Sequence, residues 1–333
     1  MRAQHDLFLP SQLPPVVVEA AEPLPALAEL ASKLGPNLRL GTTSWAYPGW
    51  KGLVYGDSVA PKLLPQFGLT AYSRHPLLRA VEIDRTHYEP LSVEAFRQFA
   101  AQVPDDFRFV AKAHEDCTVS RFPSHARYGK KRGAENARFL DATYAAEAVV
   151  APFVEGLGSR AGVLLFQFPP QDVGHPKAFA ERLGAFLGRL PKDATYAVEI
   201  RNAELLTRAY ADALARTGAI HCHNVWGRMP SLLTQIRQIP PQARRPLLIR
   251  WILPEGDTHE DAGARYEPFD RIVDEDVAER AAIANLTARA LGHGVPCLVI
   301  VDNKAEGCAP QSVARLAAAV AEELEPSREP RRG

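Results

Sequence analysis

Two glutamates and one lysine in this sequence could carry out acid–base chemistry. Glu82, Lys112 and Glu199 each stand at the end of a short, mostly apolar run of residues. A carboxylate beside a positive charge can act as a general base or acid, and the cation can stabilise an anion that forms during a reaction. We therefore predict Glu82, Glu199 and Lys112 as catalytic residues. Either glutamate could instead form a structural ion pair with Lys112 or Arg201, or Arg201 and Arg250 could neutralise both glutamates in a closed ion-pair network, and these alternatives stay open.

Further polar and aromatic residues near the ends of these runs are predicted to bind a substrate. An arginine presents a planar fork that matches phosphate or carboxylate, so Arg201 and Arg250 are the expected main holders of an anion. An amide would orient hydroxyl groups, and a tryptophan would stack on a ring. The predicted substrate-binding residues are Trp45, Tyr47, Trp50, Asp84, Gln167, Arg201, Arg250, Asp302 and Asn303.

The segment Gly41–Trp50 holds three of these aromatic residues next to Pro48 and Gly49. Large aromatic side chains in a loop are normally buried as packing or used as walls of a pocket. The segment is therefore interpreted either as a packed plug or as a binding wall.

The cysteines and histidines give weaker evidence of a functional site than the charged residues do. His221 and His223 flank Cys222 and share one face of a strand, so they could ligate a metal, although a lone H-x-H pair also arises by chance. Cys308 has no base beside it and is expected to be a small buried residue. No metal ligand and no cofactor is assigned, and a divalent metal is kept only as an alternative.

The elements that must position these residues alternate between strand and helix. Several strand candidates are nearly continuous apolar runs, which is typical of strands buried on both faces. Before the first of them, leucines at about helical spacing predict an N-terminal helix that Gly35 and Pro36 end. The strand candidates are Leu38–Thr43, Ala80–Ile83, Phe107–Ala111, Gly162–Phe168, Thr195–Ile200, Ala219–His223, Leu247–Ile252 and Pro296–Val301.

Eight strand–helix units in one α/β chain are typical of a (β/α)₈ TIM-like barrel. The runner-up, a doubly wound open sheet, has no support from a G-x-G-x-x-G or a phosphate-loop motif. Long loops are predicted after strands three and seven, at 114–134 and 253–276. We expect both loops on the rim that carries the polar residues, because a barrel keeps its active site at the carboxyl ends of its strands. The domain prediction is a flexible arm at 1–22, a barrel at 23–325 and a charged tail at 326–333.

Composition limits the partners. The chain has 333 residues, with 39 Lys and Arg against 39 Asp and Glu, so no overall charge attracts nucleic acid or a membrane. The loop after strand three is a local exception and could be a solvated surface or a phosphate-binding patch. Four cysteines without a C-x-x-C pair suggest reduced thiols, and neither a signal peptide nor a membrane span is predicted, so a cytoplasmic location is expected. The cations of the loop are Arg121, Arg127, Lys130, Lys131, Arg132 and, just beyond, Arg138.

Several motifs taken together resemble the family called domain of unknown function 72, the YecE-like proteins. They follow one another in the family's order over roughly residues 38–320. The matching segments are Gly41–Trp50 for G-T-S-G-W-S-Y-x-x-W, Val81–Tyr88 for V-E-I-N-x-T-F-Y, Phe107–Ala113 for F-x-F-x-x-K, Leu165–Pro170 for L-x-Q-L-P-P, Ala197–Arg201 for V-E-F-R, Arg250 for the arginine of Y-V-R-x-H-G, and Asn303 with Ala309 and Pro310 for N-N…A-P.

The resemblance implies a TIM-like barrel and does not supply a reaction. This sequence departs from the family pattern at four places, where Asp84, Asn202, Ile252 and Asp302 replace Asn, His, His and Asn. A site that relied on those histidines would be altered here.

Three functions are carried forward. The first is an enzyme that acts on a phosphorylated or otherwise anionic small molecule at the barrel mouth. The second is a metal-dependent hydrolase of phosphodiesters in nucleic acid. The third is a non-catalytic protein that binds an anion or nucleic acid. The oligomeric state is not predicted.

Overall fold

Eight parallel strands close into one barrel in sequence order. A computed structural model describes residues 17–22 and 24–325 of the chain. The structure confirms the (β/α)₈ barrel, and the open-sheet alternative is wrong, because the last strand pairs with the first. The strands are β1 Leu38–Thr42, β2 Leu78–Ile83, β3 Arg108–Lys112, β4 Ala161–Phe168, β5 Tyr196–Ile200, β6 Ile220–Trp226, β7 Leu247–Leu253 and β8 Cys297–Val301.

Helices surround the barrel. The predicted N-terminal helix is present and ends at Gly35, whose φ of 70° suits a residue without a side chain. A π-helical segment, Ala146–Val150, joins the fourth and fifth helices. Among the described residues, no helix is long and apolar enough to cross a membrane. The helices are α1 Pro25–Leu34, α2 Leu64–Tyr72, α3 Val93–Ala100, α4 Ala142–Ala145, α5 Ala151–Leu157, α6 Pro176–Arg189, α7 Arg208–Thr217, α8 Leu232–Gln238, α9 His259–Tyr266, α10 Val277–Gly292 and α11 Ala309–Leu324.

The strands are apolar because both of their faces are buried. Outward-facing residues pack against the helices, as where Phe166 of β4 meets Phe186 of α6 with ring centroids 5.1 Å apart. Inward-facing residues fill the barrel with a separate apolar layer. This double burial accounts for the continuous apolar runs in the sequence. The inner layer consists of Ala80, Val110, Val163, Leu165, Ala197, Ile220, Cys222, Leu248, Leu298 and Ile300.

The segment before α1 packs on the barrel where it is described. Val18 is buried, Ala20 forms an antiparallel bridge with Tyr55, and the amide of Ala21 donates a hydrogen bond to the carbonyl of Val54. Residues 17–22 are therefore held on the barrel and do not belong to a free arm. Residues 1–16, the remainder of the predicted arm, and the predicted tail at 326–333 lie outside the described residues.

Both long loops lie on the rim formed by the carboxyl ends of the strands. In the loop after β3, Arg127 forms an ion pair with Glu115 and stacks on Tyr88, a residue of the barrel mouth. The loop after β7 contains α9, whose first residue, His259, lines the same mouth. The predicted placement of the two loops is confirmed.

Gly41 allows β1 and β2 to approach closely. The register of this strand pair shifts between Leu40 and Gly41, and a Cβ on Gly41 would lie 2.1 Å from the carbonyl oxygen of Ala80. We expect Gly41→Ala to lower the free energy of unfolding by about 1–3 kcal/mol, the usual cost of overpacking. Urea unfolding measures this change.

Gly188→Ala is the matched control for that variant. Gly188 lies near the end of α6, where an added Cβ would meet no atom within 4 Å apart from its chain neighbours and the backbone of its own helix. The control should gain about 0.5–1 kcal/mol from helix propensity. A Gly41→Ala protein as stable as the parent would contradict the close strand approach.

Candidate functional site in the barrel mouth

A layer of polar side chains lies directly above the apolar layer of the barrel. Each member follows an inward-facing apolar residue by two positions, and residues two apart on a strand share a face. Seven of the eight strands contribute in this way, either from within the strand or from the residue after it. The polar layer consists of Glu82, Lys112, Gln167, Glu199, Asn224, Arg250 and Asp302.

A cavity of about 490 Å³ opens above this layer. Most of the predicted site residues line it, with Glu82 and Arg250 nearly or fully buried at its floor, whereas Glu199 is fully buried and does not line it. The wall is polar, with both signs of charge. Its lining residues are Thr43, Ser44, Tyr47, Glu82, Asp84, His87, Tyr88, Lys112, Gln167, Arg201, Arg250, Ile252, His259, Asp302 and Lys304.

Arg250 joins the two glutamates at the centre of the polar layer. Its Nε and Nη2 donate to Glu82 Oε2 and Oε1 at 2.7 and 2.9 Å, and its Nη1 donates to Glu199. The side chain is only 2% exposed. Glu82 and Glu199 therefore share one guanidinium, as the prediction of a common site requires. Because all three of its nitrogens are engaged by carboxylates, this geometry does not favour Arg250 as a holder of a ligand anion, and that role stays a prediction.

Two other cations of the polar layer reach the cavity. Lys112 contacts Asp84 and lies 3.6 Å from Glu82 Oε1. Arg201 donates from Nε to Glu199 Oε1 at 2.9 Å and from Nη2 to Gln167 at 3.3 Å. Their side chains are 12% and 11% exposed, so each presents part of its surface to the cavity.

The two glutamates have different proton affinities. Burial raises the pKa of Glu82 above its usual value, against the opposing charges of Arg250 and Lys112. Burial also acts to raise the pKa of Glu199, but Arg250 and Arg201 outweigh it and lower that pKa to about 2. Neighbouring carboxyls whose pKa values are driven apart can divide the roles of proton carrier and fixed negative charge. Glu82, which lines the cavity, is the group suited to move a proton.

Tyr47, Asp84 and Asp302 meet the cavity as predicted. Burial acts to raise the pKa of Asp84, but its contact with Lys112 outweighs this and lowers the pKa. Asp302 accepts a hydrogen bond from Thr43 Oγ1 at 2.7 Å. The pKa of Tyr47 is raised by burial and by the charges of these two carboxylates.

Trp45, Trp50 and Asn303 do not line the cavity. Trp45 is buried and its Nε1 donates to the carbonyl of Leu64 at 3.0 Å. Trp50 is fully buried, and its Nε1 donates to Asn303 Oδ1, which also accepts from the amide of Ala309. Side chains buried to this degree offer little surface to a ligand, so the structure does not favour substrate binding by these three residues, and that role stays a prediction. The segment Gly41–Trp50 is a packed plug from which Tyr47 reaches the cavity.

His221 and His223 face away from the barrel interior. His221 Nδ1 is hydrogen-bonded to the hydroxyl of Tyr210 at 2.9 Å, and His223 Nε2 to the carbonyl of Ile239 at 3.1 Å. The other nitrogen of each ring, His221 Nε2 and His223 Nδ1, has no hydrogen-bond partner among the described residues, so a metal at these histidines stays an alternative. Within residues 17–22 and 24–325, no three His, Cys, Asp or Glu side chains are arranged to hold a metal ion. The metal-dependent hydrolase stays a prediction that the described geometry does not favour.

The basic loop after β3 is partly neutralised by its own carboxylates. Three of its arginines form ion pairs with carboxylates of the same loop. Fewer of its cations are therefore free to bind a phosphate than the sequence suggests. The pairs are Arg121 with Glu135 at 2.9 Å, Arg127 with Glu115 at 2.5 Å and Arg138 with Asp116 at 3.1 Å.

Asn224, His87 and His259 were not among the predicted site residues. Asn224 could have been found by counting, because it follows the inward-facing Cys222 by two positions on β6. His87 and His259 lie beyond the ends of the strands. The alternation of strand residues does not extend into these segments, so it cannot show which side chains face the mouth.

A model of the family described as "Protein of unknown function DUF72" matches residues 39–332. The chain belongs to the DUF72 family. No curated protein matches it. Family membership agrees with the motifs Gly41–Trp50 and Val81–Tyr88 and confirms the resemblance seen in the sequence.

Solved structures of other DUF72 proteins share the fold of this one. A DUF72 protein of Thermotoga maritima is 20% identical with a TM-score of 0.54, over 87% of this chain and 99% of that one. One from Enterococcus faecalis is 14% identical, also with a TM-score of 0.54, over 87% and 98%. Identities this low show the shared barrel alone, so function must be argued from the mouth itself.

Proposed function

We propose that this DUF72 protein is an enzyme that acts on a small anionic molecule in the barrel mouth. The observation that carries the proposal is the polar layer beneath the cavity, which seven strands build above an otherwise apolar interior. Buried charges cost free energy, and apolar residues of similar volume are often as stable or more so. A layer with this cost, open to a cavity of about 490 Å³, is typical of a site rather than of a core.

The residues have separate roles in this proposal. Glu82 moves the proton, because it meets the cavity and burial raises its pKa. Lys112 lies beside it and stabilises negative charge on the reacting group. Glu199 holds Arg201 in place by accepting its Nε hydrogen bond, and Arg250 holds Glu82 in place by donating to both of its carboxylate oxygens. Gln167 and Asp84 orient polar groups of the substrate.

The proposal is tested by calorimetric titration with phosphate, sulfate and a panel of phosphorylated and carboxylated small molecules. We expect Arg201→Met to weaken the binding of anions by about tenfold or more, the value of a charged hydrogen bond. The reason is that Arg201 is a cavity cation with exposed surface and a nitrogen, Nη1, that no hydrogen bond to a described residue engages.

Lys62→Met is the control, because Lys62 is an exposed cation outside the cavity. It should bind anions like the parent. Ligands found in the titration are then followed by NMR for turnover. A ligand that binds but is never converted would favour a non-catalytic binding protein, and a parent protein that binds none of these anions would contradict the proposal.

A further inference from the structure

Three cationic or titratable side chains besides Lys112 line the cavity from different elements. Arg201 directly follows β5, His259 begins α9 in the loop after β7, and Lys304 follows β8. Lys112 faces the cavity from β3, where it contacts Asp84 and Glu82. An anion could therefore bind at either of two places in the mouth. One is at Lys112, and the other is at the group formed by Arg201, His259 and Lys304.

Two of the three, His259 and Lys304, are less neutralised than Lys112, whereas Arg201 is paired with Glu199 through its Nε. The carboxylate nearest to Lys304 Nζ is Asp302 Oδ1 at 3.9 Å, beyond hydrogen-bond distance. Asp302 is itself engaged, because it accepts from Thr43 Oγ1 at 2.7 Å and from the amide of Lys304 at 2.9 Å. No hydrogen bond to a described residue engages the His259 ring, which is exposed.

Cations predominate among the charges that act on His259. Its pKa is lowered by partial burial and then by the charge of Arg201; Asp302 opposes this shift, and Lys304 and Lys112 add to it. The N-terminal end of α9 adds a partial positive charge, which the first-turn carboxylates Glu260 and Asp261 oppose. On α9 itself, Asp261 accepts a hydrogen bond from Thr258 Oγ1 at 2.6 Å, so this carboxylate is already engaged.

We propose that the anionic group of the ligand is a phosphate, or a tetrahedral anion like it, bound between Arg201, His259 and Lys304. The inference rests on the proposed function and locates the anion within it. Barrels often bind phosphate with the loops after strands seven and eight and the start of a short extra helix, and this chain places His259, Lys304 and α9 there. The rest of the ligand then extends across the cavity toward Lys112 and Glu82, where the proton is moved.

The test is titration of the full-length protein with inorganic phosphate, by calorimetry and by phosphorus NMR. We expect His259→Ala and Lys304→Met each to weaken phosphate binding by about tenfold, and Lys112→Met by less than about threefold, because only the first two remove a donor to the phosphate. Lys130→Met removes a positive charge from an exposed loop residue outside the cavity and should leave the affinity unchanged. Circular-dichroism melting checks that each variant is folded.

The outcomes separate this inference from the proposed function. If the parent and Lys130→Met bind phosphate, and His259→Ala and Lys304→Met bind it equally well, the inference is overturned and the proposed function stands. The same holds if Lys112→Met causes the largest loss, since the anion then lies at Lys112 and not at the group of three. If the parent binds neither phosphate nor any phosphorylated or carboxylated molecule of the panel, both are overturned.

Discussion

Replacing Arg250 by methionine is expected to lower the free energy of unfolding by about 3–5 kcal/mol, the usual cost of removing one partner from a buried ion pair. The guanidinium is the only group that contacts both Glu82 and Glu199 among the described residues, and both glutamates are fully buried. Lys112 and Arg201 each stay near one glutamate and limit the loss. Urea unfolding at pH 8 measures the change.

The pH dependence of this loss identifies its cause. Without Arg250, burial raises the pKa of both glutamates in the folded state, and a carboxyl with a raised folded pKa contributes stability at low pH that is lost as the pH rises. The difference between Arg250→Met and the parent should therefore shrink from pH 8 to pH 5. Subtracting the free energy of unfolding of the variant from that of the parent at each pH removes the contribution of every titratable group whose pKa the substitution does not change.

A triple variant provides the matched control. Arg250→Met combined with Glu82→Gln and Glu199→Gln removes the unpaired charges together with their partner, and should recover much of the lost stability. A stable Arg250→Met protein that no longer binds anions would show instead that Arg250 holds the ligand, as the sequence alone suggests.

The convergence of Glu82, Lys112, Glu199 and Arg250 could be predicted because parallel strands of a barrel end on one rim. Counting along the chain is enough to place them there. Whether Arg250 pairs with the two glutamates or holds a ligand could not be decided from the sequence, because these carboxylates lie 168 and 51 residues away and the choice depends on distances across the closed barrel. The sequence does not distinguish an arginine whose guanidinium is free from one whose guanidinium is already paired with carboxylates.

The plug after β1 shows a second limit. Strand residues alternate between two faces, but a loop has no such period, so Tyr47 and Trp50 could not be told apart in sequence. In the fold, Trp50 turns inward to Asn303, whereas Tyr47 packs between Trp50 and Phe269 and reaches the cavity. Phe269 belongs to the loop after β7, so the position of Tyr47 depends on a segment more than two hundred residues away. The rule of two-residue spacing, in contrast, excludes His221 and His223 from the interior once Cys222 is placed inside.

Mild acid is expected to unfold the protein, through histidines that are buried in their neutral form. Burial lowers the pKa of His75, His87 and His223 to about 4, and His221 is shifted in the same direction. In the unfolded chain a histidine has a pKa of about 6.5. The unfolded state therefore binds more protons between pH 6.5 and 4, and stability falls as the pH is lowered through that window.

The expected size of this effect is large. Each of the three histidines costs about 2 kcal/mol of stability by pH 5, from the difference between its folded and unfolded pKa. Their sum, about 6 kcal/mol, is comparable to the whole stability of a typical domain. The free energy of unfolding, measured in urea from pH 7.5 to 4.5, should therefore decline steeply below pH 6.5.

His223→Asn tests the assignment to individual residues. The ring of His223 is fully buried, with Nε2 bonded to the carbonyl of Ile239, so its removal should reduce the slope of stability against pH by about one proton. The comparison uses the slope because the substitution also lowers stability at every pH. His293→Asn, at an exposed position after α10, is the control and should leave the slope unchanged. A parent protein whose stability stays level between pH 7 and 5 would contradict the burial of these neutral rings.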